Sequence, residues 1–438
     1  MNKTKLLLLI GLLVVTGACV GNQSSVSNAP STNVNVNQSA SANTNTAPQA
    51  TPDLSRVAVT LPIIDALLSD EEFKNKAKAE LQISDEEIQK LTDSARDSVL
   101  KLSEDETEDA ARSTTAATRA AQETVREVLG AEKGDRFLNF VRQQVAGDTT
   151  ALASAKPNAV PTDTRIVVNS PAYRMDVFEN GQLKKSYKVG IGYPEFPLPI
   201  GLRRAKTIIF NPTWTPPDEP WVKGKVAPGK TVEAGSKLNP LGPIKIPIGL
   251  PSLIHGGKNP SRLGTFASHG CVGLTNDQIK DFALELSSLA GNNITTAEIE
   301  QYGKDKTETK NVDLQQEVPV ELRYETIVVE DGKLKIYRDV YERGTNNEEN
   351  LRRVFEAYGV SFDSLDPADK EKVLAGLEQM ASDAKGKPVD ASDAANSNSA
   401  EKNTSKTVTR DVKGKKELVF EVAQLSGKGY PAPVGMKM

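Results

Sequence analysis

One short window of the sequence, SHGCVGLTND at residues 268–277, holds a thiol, an imidazole and two glycines. It contains His269 and Cys271, and the chain's other histidine, His255, lies 14 positions before His269 in LIHGGKNP. The full chain has only two cysteines and two histidines among 438 residues. This concentration of nucleophile and imidazole in one segment indicates a reactive site.

The residue types in this window favour thiol chemistry. A thiol is a weak nucleophile until an imidazole or a helix N-terminus lowers its pKa, and both are available to Cys271. We therefore predict a lowered pKa for this thiol. Gly270 removes side-chain bulk before the nucleophile, and the backbone N–H groups of SHGC can face a developing oxyanion. The combination predicts acyl transfer through a thioester.

Two other interpretations use the same residues. His255, His269 and Cys271 are possible zinc ligands, but a structural zinc site usually has four ligands. Because the mature chain offers no further histidine or cysteine, the fourth ligand would be Asp, Glu or water. A purely structural role for all three residues is the second alternative. We expect no metal and no cofactor.

Local signals place the window on a loop that leads into a helix. Thr275 and Gln278 fit a capping box, Leu274 and Ile279 fit a hydrophobic staple, and Gly291 can end the helix. Upstream, Asn180-Gly181 lies between β-branched and aromatic runs and predicts a hairpin. A β-rich domain therefore begins near residue 164, and VVEDGKLKIY predicts a later hairpin.

Both tryptophans, Trp214 and Trp221, lie in a stretch rich in proline and glycine, residues 211–251. A long irregular loop is usually functional or disordered, and two tryptophans argue against disorder. The loop is either a wall or lid over the site, or surface packing.

The rest of the chain is helical or polar. Residues 58–148 predict a small helical domain, with acids after Ser69 and Ser84 marking two helix starts and a second helical stretch from Ala110 to about Val145. Its role is spacing, dimerisation or binding of a protein partner. The net charge of −4 gives no reason to expect nucleic acid.

The N-terminus combines Lys3 and Lys5 with an apolar run from Leu6 to Val15, which suits a secretory signal better than a membrane anchor. The following VTGAC resembles the lipobox of bacterial lipoproteins, although Thr16 stands where leucine is usual. This resemblance implies lipidation of Cys19 and attachment to the cell envelope on the periplasmic side. Val20 follows Cys19 where Asp would mark inner-membrane retention in some bacteria, and this favours the outer membrane.

The segment IHGGKNPSRLGTFASHGCVGLTND resembles the signature of L,D-transpeptidases with the YkuD-type catalytic domain. The resemblance implies a β-rich, sandwich-like catalytic domain. The helical domain and the C-terminal extension fall outside it, so the whole chain is predicted to be multidomain α+β, with the catalytic domain after the helical domain and before a helical extension. The predicted parts are a signal peptide (1–19), a disordered tether (20–57), the helical domain (58–148), a linker (149–163), the catalytic domain (164–345), the helical extension (346–384), a disordered stretch (385–412) and a C-terminal strand or partner segment (413–438).

The resemblance also implies roles for residues. Cys271 would be the nucleophile and His255 the general base, oriented by the backbone carbonyl of Gly256. Ser268 and His269 would shape the pocket, and the amides of His269, Gly270 and Cys271 would form the oxyanion hole. The predicted substrate-binding residues are Trp214, Trp221, Arg262 and Asn276.

In the implied reaction, Cys271 attacks the carbonyl at the third residue of a peptidoglycan tetrapeptide stem and releases D-Ala. An amine of a neighbouring stem, water or a protein lysine then accepts the acyl group. Many family members have arginine two residues after the cysteine, where this chain has Gly273, and Arg262 is a candidate substitute. The alternative is a wall-binding or scaffolding lipoprotein with a degenerate site.

Overall fold

Five helices between residues 61 and 146 form an N-terminal bundle. They lie within the part of the chain that the computed structural model describes, residues 54, 57–100, 113–148, 156–215, 230–304, 308–382 and 414–436. The helices share one hydrophobic core, and the first of them, residues 61–68, is buried on nearly every side. The helices are α1 (Leu61–Leu68), α2 (Glu71–Leu81), α3 (Asp85–Leu100), α4 (Thr114–Leu129) and α5 (Ala131–Ala146).

The helix starts agree with the sequence in part. Ser84 and Glu87 form a reciprocal capping box, with Glu87 N–H donating to Ser84 Oγ and Ser84 N–H donating to the Glu87 carboxylate. The predicted start at Ser69 is wrong by one residue, because the carboxylate of Asp70 accepts the Phe73 N–H and caps α2. The helical stretch predicted as one unit after Ala110 is two helices, which are separated at Gly130.

A large mixed sheet forms the centre of the molecule. Its eight strands have the order β3-β2-β1-β10-β5-β6-β7-β9, and β4 and β8 form a separate parallel pair. The strands up to β10 are β1 (Arg165–Asn169), β2 (Arg174–Glu179), β3 (Gln182–Lys188), β4 (Ile191–Gly192), β5 (Gly201–Phe210), β6 (Ile244–Pro247), β7 (Leu253–His255), β8 (Phe266–Ser268), β9 (Val272–Gly273) and β10 (Lys310–Arg323).

Two helices, α6 (Asn276–Leu289) and α7 (Thr296–Lys304), follow β9, and α6 packs on one face of the large sheet. The predicted capping box of α6 is present, since Thr275 Oγ1 accepts the Gln278 N–H and Gln278 Oε1 accepts the Thr275 N–H. The predicted hairpin at Asn180-Gly181 is also present, as β2 and β3. These local signals fix where the chain turns on either side of the site.

The C-terminal part has its own core. The predicted hairpin at Asp331-Gly332 is β11 (Ile327–Glu330) and β12 (Lys333–Tyr337), and β12 also pairs with β13 (Glu417–Glu421). This three-stranded sheet shares a hydrophobic cluster with α8 (Glu348–Ala357) and α9 (Pro367–Met380). The C-terminal segment, which the sequence predicted as a strand or a partner segment, therefore forms a strand, β13. The predicted α+β architecture, β-rich between helical parts, is confirmed.

The helical bundle contacts the segment after β4 through buried hydroxyls. Thr60 Oγ1 donates to the Glu195 carbonyl at 2.7 Å, and Thr114 Oγ1 donates to the Pro194 carbonyl at 2.8 Å. These two bonds fix the position of residues 194 and 195. In the described part of the chain, no helix is both long and apolar enough to cross a membrane.

Candidate active site

The strand β7, which lies between β6 and β9, carries His255 on the face of the sheet that lies away from the main core. In the register of the sheet, His255 is opposite Lys245 on β6 and opposite Gly273 on β9. Ile254 and Val272, one position earlier on their strands, are fully buried in the core. Because side chains alternate between the faces of a strand, His255 and its two neighbours share the opposite face.

The same alternation places Cys271 beside His255. Cys271 directly precedes β9, which runs parallel to β7, and it lies two positions before Gly273. Its side chain therefore falls on the face that carries His255, next to Leu253 at the start of β7. A backbone hydrogen bond from Leu253 to the thiol agrees with this position. Cys271 is a free, half-buried thiol.

The imidazole of His255 is oriented by a neighbouring carbonyl. Its Nδ1 lies 2.7 Å from the carbonyl oxygen of Gly256, the contact that the sequence predicted. Since a carbonyl only accepts, Nδ1 carries the proton and Nε2 carries the lone pair in the neutral ring. Burial to 3% exposure, together with the nearby charge of Lys258, lowers the pKa of His255 to about 3. The ring is thus neutral at neutral pH.

The thiol of Cys271 shows the opposite of the predicted shift. Burial raises its pKa, because a thiolate loses its hydration in this position. The Leu253 hydrogen bond and the charge of Lys258 favour the thiolate but do not outweigh the burial. The resting site therefore holds a neutral thiol beside a neutral imidazole, and the expected low-pKa thiol is wrong.

The loop before Cys271 is held by two serines. Ser268 Oγ accepts the Cys271 N–H at 3.0 Å and donates to the Cys271 carbonyl at 2.5 Å. Ser252 Oγ donates to the Gly270 carbonyl at 2.7 Å, and Gly270 has a left-handed φ of 88° that favours glycine. The Cys271 N–H, one of the three predicted oxyanion donors, is thus bonded to Ser268, and the roles of the His269 and Gly270 amides stay predictions.

His269 lies between two aromatic rings. Its ring makes edge-to-face contacts with Tyr193 and Phe196, with centroids 5.1 and 4.7 Å apart. The Tyr193 N–H also donates to the Ser268 carbonyl at 2.9 Å. This aromatic pair belongs to the segment that the helical bundle fixes through Pro194 and Glu195. The bundle therefore supports one wall of the site.

The predicted substrate-binding residues have different positions. Trp214 is half-buried and pairs through its backbone with Val232, whereas Trp221 lies outside the described residues. Asn276 Oδ1 accepts the Gly257 N–H at 2.8 Å and thereby fastens the turn after His255. The guanidinium of Arg262 donates to the Phe266 carbonyl within its own loop.

Sequence reasoning missed three residues of the site. Ser252 holds the Gly270 carbonyl, Lys245 is the cross-strand neighbour of His255, and the charge of Lys258 acts on both reacting groups. Lys258 lies three positions after His255 in the sequence, and this proximity is the signal that could have placed it in the site. Among the described residues, no His, Cys, Asp and Glu side chains form a group of three or more that could hold a metal ion.

Comparison with known proteins agrees with this site. Residues 163–291 match the family model of the YkuD L,D-transpeptidase catalytic domain, which confirms the resemblance seen in the sequence. The match includes His255, Cys271 and the loop between them. The helical bundle and the C-terminal core lie outside it. No curated protein matches the chain.

Solved structures of L,D-transpeptidases also match weakly. An Enterococcus faecium L,D-transpeptidase mutant is 16% identical over 37% of this chain and 50% of its own, with a TM-score of 0.24. An L,D-transpeptidase from Mycobacterium smegmatis is 16% identical over 37% of this chain and 58% of its own, with a TM-score of 0.21. The chain thus spans about half the length of these proteins, and the likeness is too weak to support further conclusions.

Proposed function

We propose that the protein is a peptidoglycan L,D-transpeptidase that works through a thioester on Cys271. The observation that carries this proposal is the placement of Cys271 and His255 on one face of the adjacent parallel strands β7 and β9, with the His255 ring oriented by Gly256. This placement falls within the stretch that matches the catalytic-domain family. The remaining steps follow from the chemistry of these groups.

The neutral pair suits a proton transfer that is coupled to attack. As the thiol of Cys271 approaches the carbonyl at the L-centre of the third stem residue, Nε2 of His255 takes its proton. The N–H groups of His269 and Gly270 stabilise the oxyanion of the tetrahedral intermediate. The C–N bond then breaks, His255 returns the proton to the leaving nitrogen, and D-Ala departs as an amine.

The acyl acceptor determines the product. An amine of a neighbouring stem attacks the thioester, His255 takes a proton from that amine, and the thiol is regenerated as a 3→3 cross-link forms. Water in the same position gives a tripeptide, and a protein lysine gives a protein attached to the wall. We further propose that lipidation of Cys19, which lies outside the described residues, anchors the protein in the cell envelope facing the periplasm.

A wall-binding protein without activity is the second candidate. The raised pKa of Cys271 and the engagement of its N–H by Ser268 favour this alternative, because both remove features that would activate a nucleophile. The intact pairing of His255 with the Gly256 carbonyl disfavours it, since a merely binding site does not require an oriented base.

Product analysis separates the two candidates. The full chain, purified in detergent, is incubated with disaccharide-tetrapeptide, and products are identified by mass spectrometry, with Cys271→Ala as the matched control. Cross-linked dimer or tripeptide formed by the unaltered chain alone supports the enzyme. If neither chain changes the peptide while both retain it on a binding column, the protein is a wall-binding module.

A further inference from the structure

A cavity of about 280 Å³ lies where the large sheet meets the C-terminal part. Its walls include residues 321–325 at and after the end of β10, the loop before α8, the first two turns of α8, and residues 156–158. Among the described residues that line it, none is a residue predicted for the active site. Apart from Ile200, they also lie outside residues 163–291, which match the catalytic-domain family. The cavity is therefore separate from the site of the proposed reaction.

The two carboxylates that line the cavity already have partners. Glu321 bonds the guanidinium of Arg323 at 2.7 Å and that of Arg165 at 2.8 Å. Glu325 accepts the Asn158 N–H at 2.8 Å and lies 3.7 Å from the Arg323 guanidinium. Arg323, which also lines the cavity, is thus balanced by carboxylates of the protein itself.

Three further cations line the cavity without a carboxylate. Lys156 lies over the ring of Tyr358, 4.4 Å from its centroid. Neither it nor Arg343 nor Arg353 forms an ion pair with a described residue. Arg353 is exposed, whereas Arg343 is half-buried. Because a cleft lined by one sign of charge attracts the opposite charge, this excess favours an anionic ligand.

The guanidinium of Arg343 uses few of its donors within the protein. Its Nη2 donates to the Leu198 carbonyl at 3.1 Å, and its central carbon lies 4.3 Å from the centroid of the Tyr324 ring. Its Nε is buried without a hydrogen-bond partner, and Nη1 has none among the described residues. Since a guanidinium carries five N–H groups, most of them stay available, and a carboxylate is their preferred acceptor.

Asn350 adds an acceptor to the same cavity. Its Nδ2 donates to the Thr345 carbonyl at 3.0 Å, and this bond leaves Oδ1 without a partner among the described residues. An acceptor in a cavity with unpaired cations matches the last residue of a peptide, which carries one amide N–H and one carboxylate. Leu322 and Val354, both buried in the lining, form an apolar wall for its side chain.

We infer that this cavity binds the C-terminal residue of a short peptide with a small apolar side chain, its carboxylate at Arg343 and its amide N–H at Asn350. Arg353 attracts the anion from the exposed side. The cavity is slightly smaller than typical sites for drug-sized ligands, about 300–1,000 Å³, so it encloses only the end of a peptide. The inference goes beyond the proposed function, because it uses no residue of the candidate active site.

Isothermal titration of the full chain, purified in detergent, tests the inference. The probes are N-acetyl-alanyl-alanine ending in L-Ala or in D-Ala, the C-terminal amide of each, and isobutyrate. We expect the acids to bind about 10- to 100-fold more tightly than the amides, because the contact with Arg343 is charge-assisted. Isobutyrate has the carboxylate but no amide N–H, and we expect it to bind about 2- to 10-fold more weakly than the better dipeptide.

Variants locate this binding in the cavity. Arg343→Met removes the preference for the acid, and Arg343→Lys keeps part of it, since an ammonium retains the charge without the paired contact. Arg353→Glu weakens binding of the acid about 2- to 10-fold. Arg352→Met is the matched control on α8 and leaves binding unchanged, because Arg352 pairs with carboxylates outside the cavity. Cys271→Ala also leaves binding unchanged.

The outcomes separate this inference from the proposed function. It is overturned if neither dipeptide binds, if acid and amide bind equally, or if isobutyrate binds as tightly as the better dipeptide. Binding that Arg353→Glu leaves unchanged also overturns it, and this exposed position decides the matter if Arg343→Met does not fold. A preference for the D-Ala end supports a wall stem as the source of the peptide, and a preference for the L-Ala end supports a protein-derived peptide. Turnover by the active site alters none of these outcomes.

Discussion

Two buried polar regions of the molecule differ in whether their titratable groups are charged. Where β2 meets the C-terminal sheet, Arg174 bonds Asp176 at 2.8 Å and Glu330 at 2.5 Å, so that each buried charge has an opposite partner. On the face of β7 and β9, burial instead keeps His255 and Cys271 neutral. The first region fixes how two sheets meet, whereas the second holds the proposed base and the proposed nucleophile in their neutral forms.

Burial alone does not identify a reactive group in this protein. Arg174, Asp176 and Glu330 are each exposed by no more than 6%, and His255 by 3%. The difference lies in partners, since Arg174 is paired with two carboxylates, whereas His255 is bonded to the backbone carbonyls of Gly256 and Leu241. Mutations should accordingly affect stability in the first region and rate in the second.

Replacement of the base is expected to have the largest effect on rate. His255→Gln removes the proton acceptor, and we expect the rate of tetrapeptide turnover to fall about 100- to 10,000-fold, because general-base catalysis contributes that much. Mass-spectrometric product rates measure this loss, and urea denaturation serves as the stability control. A variant that retains a tenth or more of the rate would remove His255 from the mechanism.

The paired region should respond in stability instead. Arg174→Met leaves Asp176 and Glu330 buried without their partner, and we expect the free energy of unfolding to fall by about 3–5 kcal/mol. Urea denaturation followed by circular dichroism measures the change. Below the unfolding transition, the turnover rate should be within a few-fold of the unaltered chain. A large rate loss in the folded variant would erase the contrast between the two regions.

The depressed pKa of His255 predicts a pH dependence of stability. An unfolded histidine titrates near 6.5, while the folded group titrates near 3, so the unfolded state binds the proton first as the pH falls. This contribution to stability is complete above about pH 6.5 and is lost progressively toward about pH 3. The difference in urea midpoint between pH 7 and pH 4 should therefore shrink in His255→Gln. If the difference between the two urea midpoints is unchanged in this variant, burial does not lower the pKa of His255 in the folded state.

The smallest expected effect concerns the loop that carries the oxyanion donors. Ser252→Ala removes one hydrogen bond to the Gly270 carbonyl, and we expect a loss of about 0.5–1.5 kcal/mol in stability. The turnover rate should drop less than tenfold, because the Ser268 contacts still hold the loop. Thermal unfolding and product rates measure both effects, and a rate loss as large as that of His255→Gln would make Ser252 part of the chemistry.

Local features were the ones that sequence reasoning predicted best. The capping box at Thr275 and the hairpins at Asn180 and Asp331 depend on neighbouring residues, and all three are present. The clustering of His255 and Cys271 followed from the family motif. Cys19 and Trp221 lie outside the described residues, so their predicted roles stay predictions.

Features that depend on distant partners were not predicted. The pairing of β1 with β10 joins Ile166 to Val320, and no local pattern indicates that contact. The raised pKa of Cys271 likewise arises from burial by the whole fold. The contact of the Lys258 side chain with Gly273 is another such feature, because the two residues lie on separate segments of the sequence.

The central claim is that Cys271 carries the acyl group, and trapping that thioester tests it most directly. The full chain is mixed with tetrapeptide, quenched in acid, and digested for peptide mass spectrometry. The account predicts an added tripeptide-acyl mass on the peptide that contains Cys271, with D-Ala released, and no addition in Cys271→Ala. Turnover by Cys271→Ala, or an acyl group attached to another residue, would contradict it.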